Sequence, residues 1–277
     1  MPDWPQILWA VSYWLITVLT VLLLLPLERW FPRILNRNAQ GGRFAPIFAV
    51  ALAALCVSLF IQFYLQTSLV SLFLGLKFVS IAKLPLDATL VFIASFLLLD
   101  LISYFQHVVS HHVALLWRVH AVHHADEHVT AVSGLLHHPL EILLSAVFLL
   151  FFTVVLGIPV LVFVIYGACM AVHSAITHAD VALPRGLDRA LRWLIVTPDV
   201  HRTHHSIHLR EGNSNFGQMF TVWDRLFGTY VDRPAATEAM LVMGLSESER
   251  PSAFSVAGLL LHPFLWRRRR GGVFRQE

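Results

Sequence analysis

LLLDLISYFQHVVSHH, residues 97–112, begins as an apolar run and ends in three histidines. Read as a helix, it places Asp100, Tyr104, His107 and His111 at i, i+4, i+7 and i+11, all on one face. The other faces are apolar. A carboxylate inside such a run is costly in lipid unless it has a partner. The stretch therefore reads as a membrane-crossing helix that carries a polar stripe toward a histidine-rich end.

The rest of the chain agrees with a bilayer. Of its 277 residues 57 % are hydrophobic and only 13 % charged, with a mean hydropathy of +0.67. A soluble domain carries about 25 % charged residues. Four apolar stretches are long enough to enter or cross a hydrocarbon core of about 30 Å. They run from about Ile7 to Leu27, Pro46 to Gln66, Leu86 to Phe105 and Leu140 to Ile176. The last is long enough for two helices, with Gly157-Ile158-Pro159 as its turn. The stretch 67–85 is apolar but holds Lys77, Lys83 and Pro85, and is left as an interfacial or re-entrant piece. The N-terminus lacks a basic n-region and a small-residue cleavage site, so it reads as a retained helix. Cys56 and Cys169 read as small core residues, not as a disulfide or thiolate site.

Net charge is only +3 and the cations are local. Arg29, Arg33, Arg37 and Arg43 lie between the first two spans, and Arg267 to Arg270 lie near the end. Such placement orients a chain in a membrane and puts these segments in the cytoplasm. No aromatic–basic surface for nucleic acid accompanies them. With these spans, residues 107–138 and 177–277 emerge on that same side. The expected architecture is all-α: about four transmembrane segments or hairpins beneath a cytosolic-facing helical cap. Residues 1–277 read as one domain.

Fifteen of the sixteen histidines fall between His107 and His208, so chance scatter does not explain them. For one histidine, a satisfied structural role is the ordinary reading. Here the spacing repeats. His107 and His111 are one turn apart. His120, His123 and His124 stand at i, i+3 and i+4, and His201, His204 and His205 repeat that spacing within TPDVHRTHHS, residues 197–206. His173 and His178 form a looser pair. Two imidazoles one turn apart can grip one ion, and a triplet can supply two neighbouring ions. Imidazole suits Fe, Zn, Cu and Ni, so ligand type does not name the metal.

An all-histidine site for two divalent ions needs negative charge nearby. Carboxylates that accept the outer imidazole N–H are one source. Asp100 and, on its face, Tyr104 are the foremost such candidates. Asp199 follows, with Glu141, Asp180 and Asp224. His137 and His138 precede a proline and a new helix, and read as structural or supporting groups. Neither E-x-x-H nor HExxH occurs.

HVVSH, HAVHH and HRTHH resemble the histidine boxes of the fatty acid hydroxylase/sterol desaturase superfamily. The order of LLLDLISYFQHVVSHH, LWRVHAVHHAD, HHPLE, TPDVHRTHHS, NSNFG and VWDRLFGTY is similar to that family over about residues 95–232. Two departures stand out. Val108 occupies a place where arginine is frequent, and His178-Ala179-Asp180 replaces the frequent H-x-N. The second favours His178 over His173 as a ligand. The resemblance implies two iron ions, with zinc as a possible substitute, held by His107, His111, His120, His123, His124, His178, His201, His204 and His205, with His173 left open. It implies O₂-dependent hydroxylation or desaturation of a lipid C–H bond, on a sterol-like, fatty acyl or ether lipid. No Rossmann or flavin motif is present, so electrons are expected from a separate reductase. The expected setting is a bacterial inner membrane or an equivalent bilayer. Two other readings compete: a metal- or haem-binding membrane protein without oxygenase activity, and a zinc-dependent hydrolase. Triplets of adjacent imidazoles disfavour bis-histidine haem.

Overall fold

The computed structural model describes residues 4–33, 42–65, 68, 70, 72, 73, 76, 80–233 and 241–266. Arg37, Lys77 and Arg267 to Arg270 lie outside the described residues. Within them the chain is helical, with three isolated β-bridges and no strand. The main helices are α1 (Trp4–Trp30), α2 (Phe44–Phe60), α3 (Ala88–His112), α4 (Ala114–His120), α5 (Pro139–Val155) and α6 (Val160–His178). Short helices follow: α7 (Arg185–Leu191), α8 (Pro198–His204), α9 (Leu209–Gly212), α10 (Val222–Phe227) and α11 (Val256–Leu265).

Local chemistry sets these boundaries. Asp87 caps α3, accepting from the backbone N–H of Thr89 at 2.8 Å and Leu90 at 3.0 Å, which satisfies donors with no partner inside the helix. His138 and Thr197 cap α5 and α8, each followed by proline at the first helical position, where a missing N–H does no harm. Gly157, at φ +61°, turns α5 back toward α6. The expected turn between two helices is therefore present, and both helices pack against α3.

Two helices, α3 and α6, are long and apolar enough to cross a membrane; α2, α5 and α11 are apolar but shorter. The helix of the expected third span continues past Phe105 to His112 over 25 residues, about 37 Å, and carries Asp100, Tyr104, His107 and His111 on one buried face. The expected second span is α2 extended by a π-helical turn, Ile61–Leu65. Of the stretch 67–85, Ile81–Lys83 form a 3₁₀ turn. There Ile81 N–H donates to Leu156 O at 2.9 Å, at the foot of the hairpin. Cys56, expected in the core, is exposed on α2, since that helix buries only its other face.

Helix α3 packs against both α5 and α6, α1 against α6, and α2 against α5. Residues 114–138, 179–233 and 241–249 gather at the histidine end. Buried charge ties them to the ends of α1 and α2. Arg43 pairs with Asp126 at 2.5 Å, donates to Thr130 Oγ1 at 2.8 Å and to His128 O, and is 6 % exposed. Glu28 accepts from the N–H of Ala131 at 2.7 Å and Asp180 at 2.8 Å. Arg33 pairs with Asp199 at 2.8 Å. So Arg33 and Arg43, read in the sequence as orienting charges, are also bolts that join the ends of α1 and α2 to the histidine end.

Candidate metal centre

The nine histidines singled out as ligands all come together. Five, His107, His111, His120, His124 and His204, have ligand atoms within 4.8 Å of one another. Four more, His123, His178, His201 and His205, form a second group of the same tightness. All nine are buried. His173 joins neither group, His112 is exposed, and His128, His208 and His262 also lie outside.

Outer partners fix how the rings face. His107 Nδ1–H donates to Phe216 O at 2.9 Å, His123 Nδ1–H to Leu136 O at 3.1 Å, His178 Nδ1–H to Ser174 O at 2.7 Å, and His204 Nδ1–H to Ser214 O at 2.7 Å. His120 Nδ1–H donates to the Glu141 carboxylate at 2.7 Å. A carbonyl or carboxylate only accepts, so these five rings carry their proton on Nδ1 and a lone pair on Nε2. The Nε2 atoms face each other: His107 to His120 at 3.2 Å and His123 to His178 at 3.1 Å. Two lone pairs at that distance do not hydrogen-bond. His204 Nε2 is buried with no hydrogen-bond partner. Converging imidazole lone pairs with outward N–H anchors are what a cation needs, so the residues fit a metal in each group.

Electrostatics point the same way. Burial pushes His204 down to about 3 and holds His123, His124, His201 and His205 well below the ordinary imidazole range. The rings are therefore neutral donors at neutral pH. Phe216 is fully buried and sets its edge against His107, His111 and His204 at 5.6, 5.1 and 5.8 Å. Trp117 covers His111 and His124 from another side at 4.9 and 5.4 Å. His137 stacks on His123 at 4.4 Å.

The three foremost supporting candidates have other partners. Asp100 accepts from Trp223 Nε1–H at 2.8 Å, Tyr166 O–H and Met219 N–H at 3.2 Å each, and Phe220 N–H at 3.3 Å. It shares a face with His107 but stands seven residues, about 10 Å, down the helix, too far for an imidazole N–H. Tyr104 hydrogen-bonds Thr229 Oγ1 at 2.9 Å. Asp199 pairs with Arg33, and with Arg192 at 3.5 Å; two residues before His201, it lies on the opposite side of the helix. Of the further acids, Glu141 takes the imidazole contact. Asp180 pairs with the buried Arg202 at 3.0 Å.

The backbone acceptors were missed: NSNFG stood in the sequence as part of a resemblance, with no sign that its Ser214 and Phe216 carbonyls meet imidazoles. Asp224 accepts from the N–H of Phe216 at 2.7 Å and Gly217 at 2.8 Å. Asn215, at φ +53°, donates to Val231 O at 2.9 Å, a conformation asparagine tolerates. A Cβ on Gly217 would lie 2.5 Å from Phe220 O. These bonds explain NSNFG and VWDRLFGTY: the first presents Ser214 and Phe216 carbonyls to two imidazoles, and the second holds it there. Spacing alone carried no sign of this.

The fatty acid hydroxylase family model matches residues 92–229. The chain is 34 % identical over 137 residues to an ornithine lipid hydroxylase, OlsE, of Rhizobium tropici, covering 49 % of this chain and 40 % of that protein. It is 26 % identical over 186 residues to the alkylglycerol monooxygenase of Danio rerio, covering 67 % and 40 %. It is 29 % identical over 146 residues to methylsterol monooxygenase 1 of Rattus norvegicus, covering 52 % and 48 %. The chain thus spans less than half the length of these relatives. No solved structure matches it. All nine grouped histidines lie inside the matched stretch, and through residues 92–229 the chain belongs to the fatty acid hydroxylase family.

Proposed function

We propose that the chain is a multi-pass membrane oxidoreductase that hydroxylates or desaturates a C–H bond of a lipid. Its substrate class is sterol-like, fatty acyl or ether lipid. The observation that carries this reading is the pair of buried histidine groups whose Nε2 lone pairs converge while their Nδ1 protons are held outside. The named relatives are lipid hydroxylases or monooxygenases, which supports an oxygenase over a hydrolase or a haem protein.

His107, His111, His120, His124 and His204 would hold one iron, and His123, His178, His201 and His205 the other; zinc fits the same donors. When bound, the two ions supply O₂ chemistry strong enough to attack an unactivated C–H bond, with electrons from an external reductase. The chain's own residues do the rest. Glu141 keeps the proton on His120 Nδ1 and adds negative charge beside one group. Phe216 and Trp117 keep water from the rings. Asp100 and Tyr104 act at a distance as positioning residues, through the loop that delivers Ser214 and Phe216. His173 is no ligand in this reading.

We further infer about four transmembrane segments or hairpins, namely α1, α2, α3 and the α5–α6 pair, with 1–277 acting as one unit and the histidine end in the cytoplasm. The ion pairs of Arg33 and Arg43 support this, because they join the arginine-bearing ends of α1 and α2 to Asp199 and Asp126 at the histidine end. Metal analysis of anaerobically purified protein tests the centre, and lipid mass spectrometry of cells with and without the chain tests the chemistry. Iron near two per chain and a lipid shifted by one oxygen or two hydrogens are the expected results. Metal-free protein with an unchanged lipid profile would sink the proposal.

A further inference from the structure

Outside the long helices, one edge of the histidine end is apolar and open. Trp193 is 67 % exposed, Leu194 61 % and Leu226 67 %, and Val222 and Phe227 beside them are exposed as well. This edge is built, not frayed. Thr221 N–H donates to Leu194 O at 3.0 Å, and Thr221 Oγ1 and Arg225 both donate to Arg192 O at 3.0 Å. The Arg225 guanidinium lies over the Trp193 ring at 4.3 Å and the Tyr230 ring at 3.8 Å, which fixes the indole in its outward position. Leaving such a patch in water is unfavourable, and contiguous exposed apolar patches mark interaction surfaces.

The patch continues a face already described. Phe227 packs on Phe105 of α3 at 5.0 Å. Phe105 is itself exposed, as are Leu90, Ile93 and Leu97 farther down that helix. A face that leaves the bilayer along α3 therefore runs without a break onto α10 and the 191–194 turn. Arg185 and Arg189, exposed on α7, come just before the 191–194 turn in the chain, and arginines near an apolar edge suit phosphate headgroups. Tryptophan is the side chain that favours that layer.

We propose that this edge, Trp193, Leu194, Val222, Leu226 and Phe227, is seated in the headgroup layer of the bilayer as an interfacial anchor separate from the spans. The inference rests on the membrane reading given above. It sets the depth of the histidine groups: Phe227 contacts Tyr104 at 5.5 Å, Tyr104 contacts Phe216 at 6.5 Å, and Phe216 contacts His107. Three aromatic rings, Phe227, Tyr104 and Phe216, then lie between lipid and His107.

Nitroxide labels at Leu226→Cys and at Trp193→Cys, in a full-length Cys56→Ala, Cys169→Ala background, test this in nanodiscs of phosphatidylethanolamine and phosphatidylglycerol. Labels at Ile93→Cys on α3 and at the exposed Glu247→Cys are the lipid and water references. Power saturation with O₂ and with a water-soluble nickel chelate reads the environment. The expected result is relaxation by nickel at Leu226 and Trp193 that is well below that at Glu247 and above that at Ile93. If both sites respond as Glu247 does while Ile93 stays in lipid, the anchor is overturned and the edge is free for a protein partner. If Ile93 also responds to nickel, the membrane-spanning reading fails and takes the anchor with it.

Discussion

His120 turns its Nδ1–H outward to Glu141 at 2.7 Å, while its Nε2 faces the Nε2 atoms of both His107 and His124 at 3.2 Å. Among the described residues, Glu141 is the carboxylate in hydrogen-bond contact with a grouped histidine. His137 shares it at 3.4 Å. One charge thus serves a ring inside the five-histidine group and a ring stacked on the four-histidine group.

Glu141→Gln should keep a hydrogen bond but lose the charge, and Glu141→Leu should lose both. Removing outer partners of metal-bound histidine typically weakens binding by about 10–100-fold. Gln is expected near the lower end and Leu near the upper, read by metal titration of purified protein. Wild-type affinity in both variants would remove Glu141 from the centre.

The two groups should lose metal separately. His204→Ala and His124→Ala belong to the five-member group, His178→Ala and His205→Ala to the other. Each should bring metal content from two ions per chain toward one, with the protein still inserted in the membrane. Elemental analysis checks this. Full metal in variants from both groups would mean the histidines are packing, not ligands.

Arg43 and Asp126 offer a test of the joint between spans and cap. Removing one partner of a buried pair costs about 3–5 kcal/mol, because the other charge is stranded. Arg43→Met should therefore lower the thermal midpoint in detergent sharply. Arg43→Met with Asp126→Leu should recover part of the loss. A single variant as stable as wild type would show that this end of α2 is not bolted in this way.

Helical spacing made much of the centre legible, and its limits are physical. In HAVHH, His120 and His124 are one turn apart and share a group, while His123 goes to the other; in HRTHH, His201 and His205 stay together and His204 crosses over. The i, i+3, i+4 pattern foresees that division. The hairpin turn was legible because Gly157 and Pro159 break a helix by their own backbone chemistry. Glu141 was visible only as one acid among several, since nothing local says that His120 will lie beside it twenty-one residues away. The Ser214 and Phe216 carbonyls left no trace, because any residue type has a carbonyl. Asp100 was placed on the correct face and credited with the wrong partner, since periodicity gives direction around a helix but not reach along it.

That error changes what Asp100→Asn should do. The carboxylate gathers Trp223, Tyr166, Met219 and Phe220, and so holds the chain that brings Phe216 to His107 and Ser214 to His204. Asparagine keeps one acceptor oxygen and turns an N–H₂ toward donors. Each buried donor left unpaired costs about 1–3 kcal/mol. The thermal midpoint should fall first. Metal loss should follow it, and should be larger in the five-histidine group, which contains both His107 and His204, than in the four-histidine group. Asp100→Leu should lower the midpoint further, since it accepts nothing. A calorimetric scan beside metal analysis separates the two effects. Lost metal with a wild-type midpoint would return Asp100 to direct contact with an imidazole, and an unchanged midpoint with unchanged metal would show that the loop holds itself.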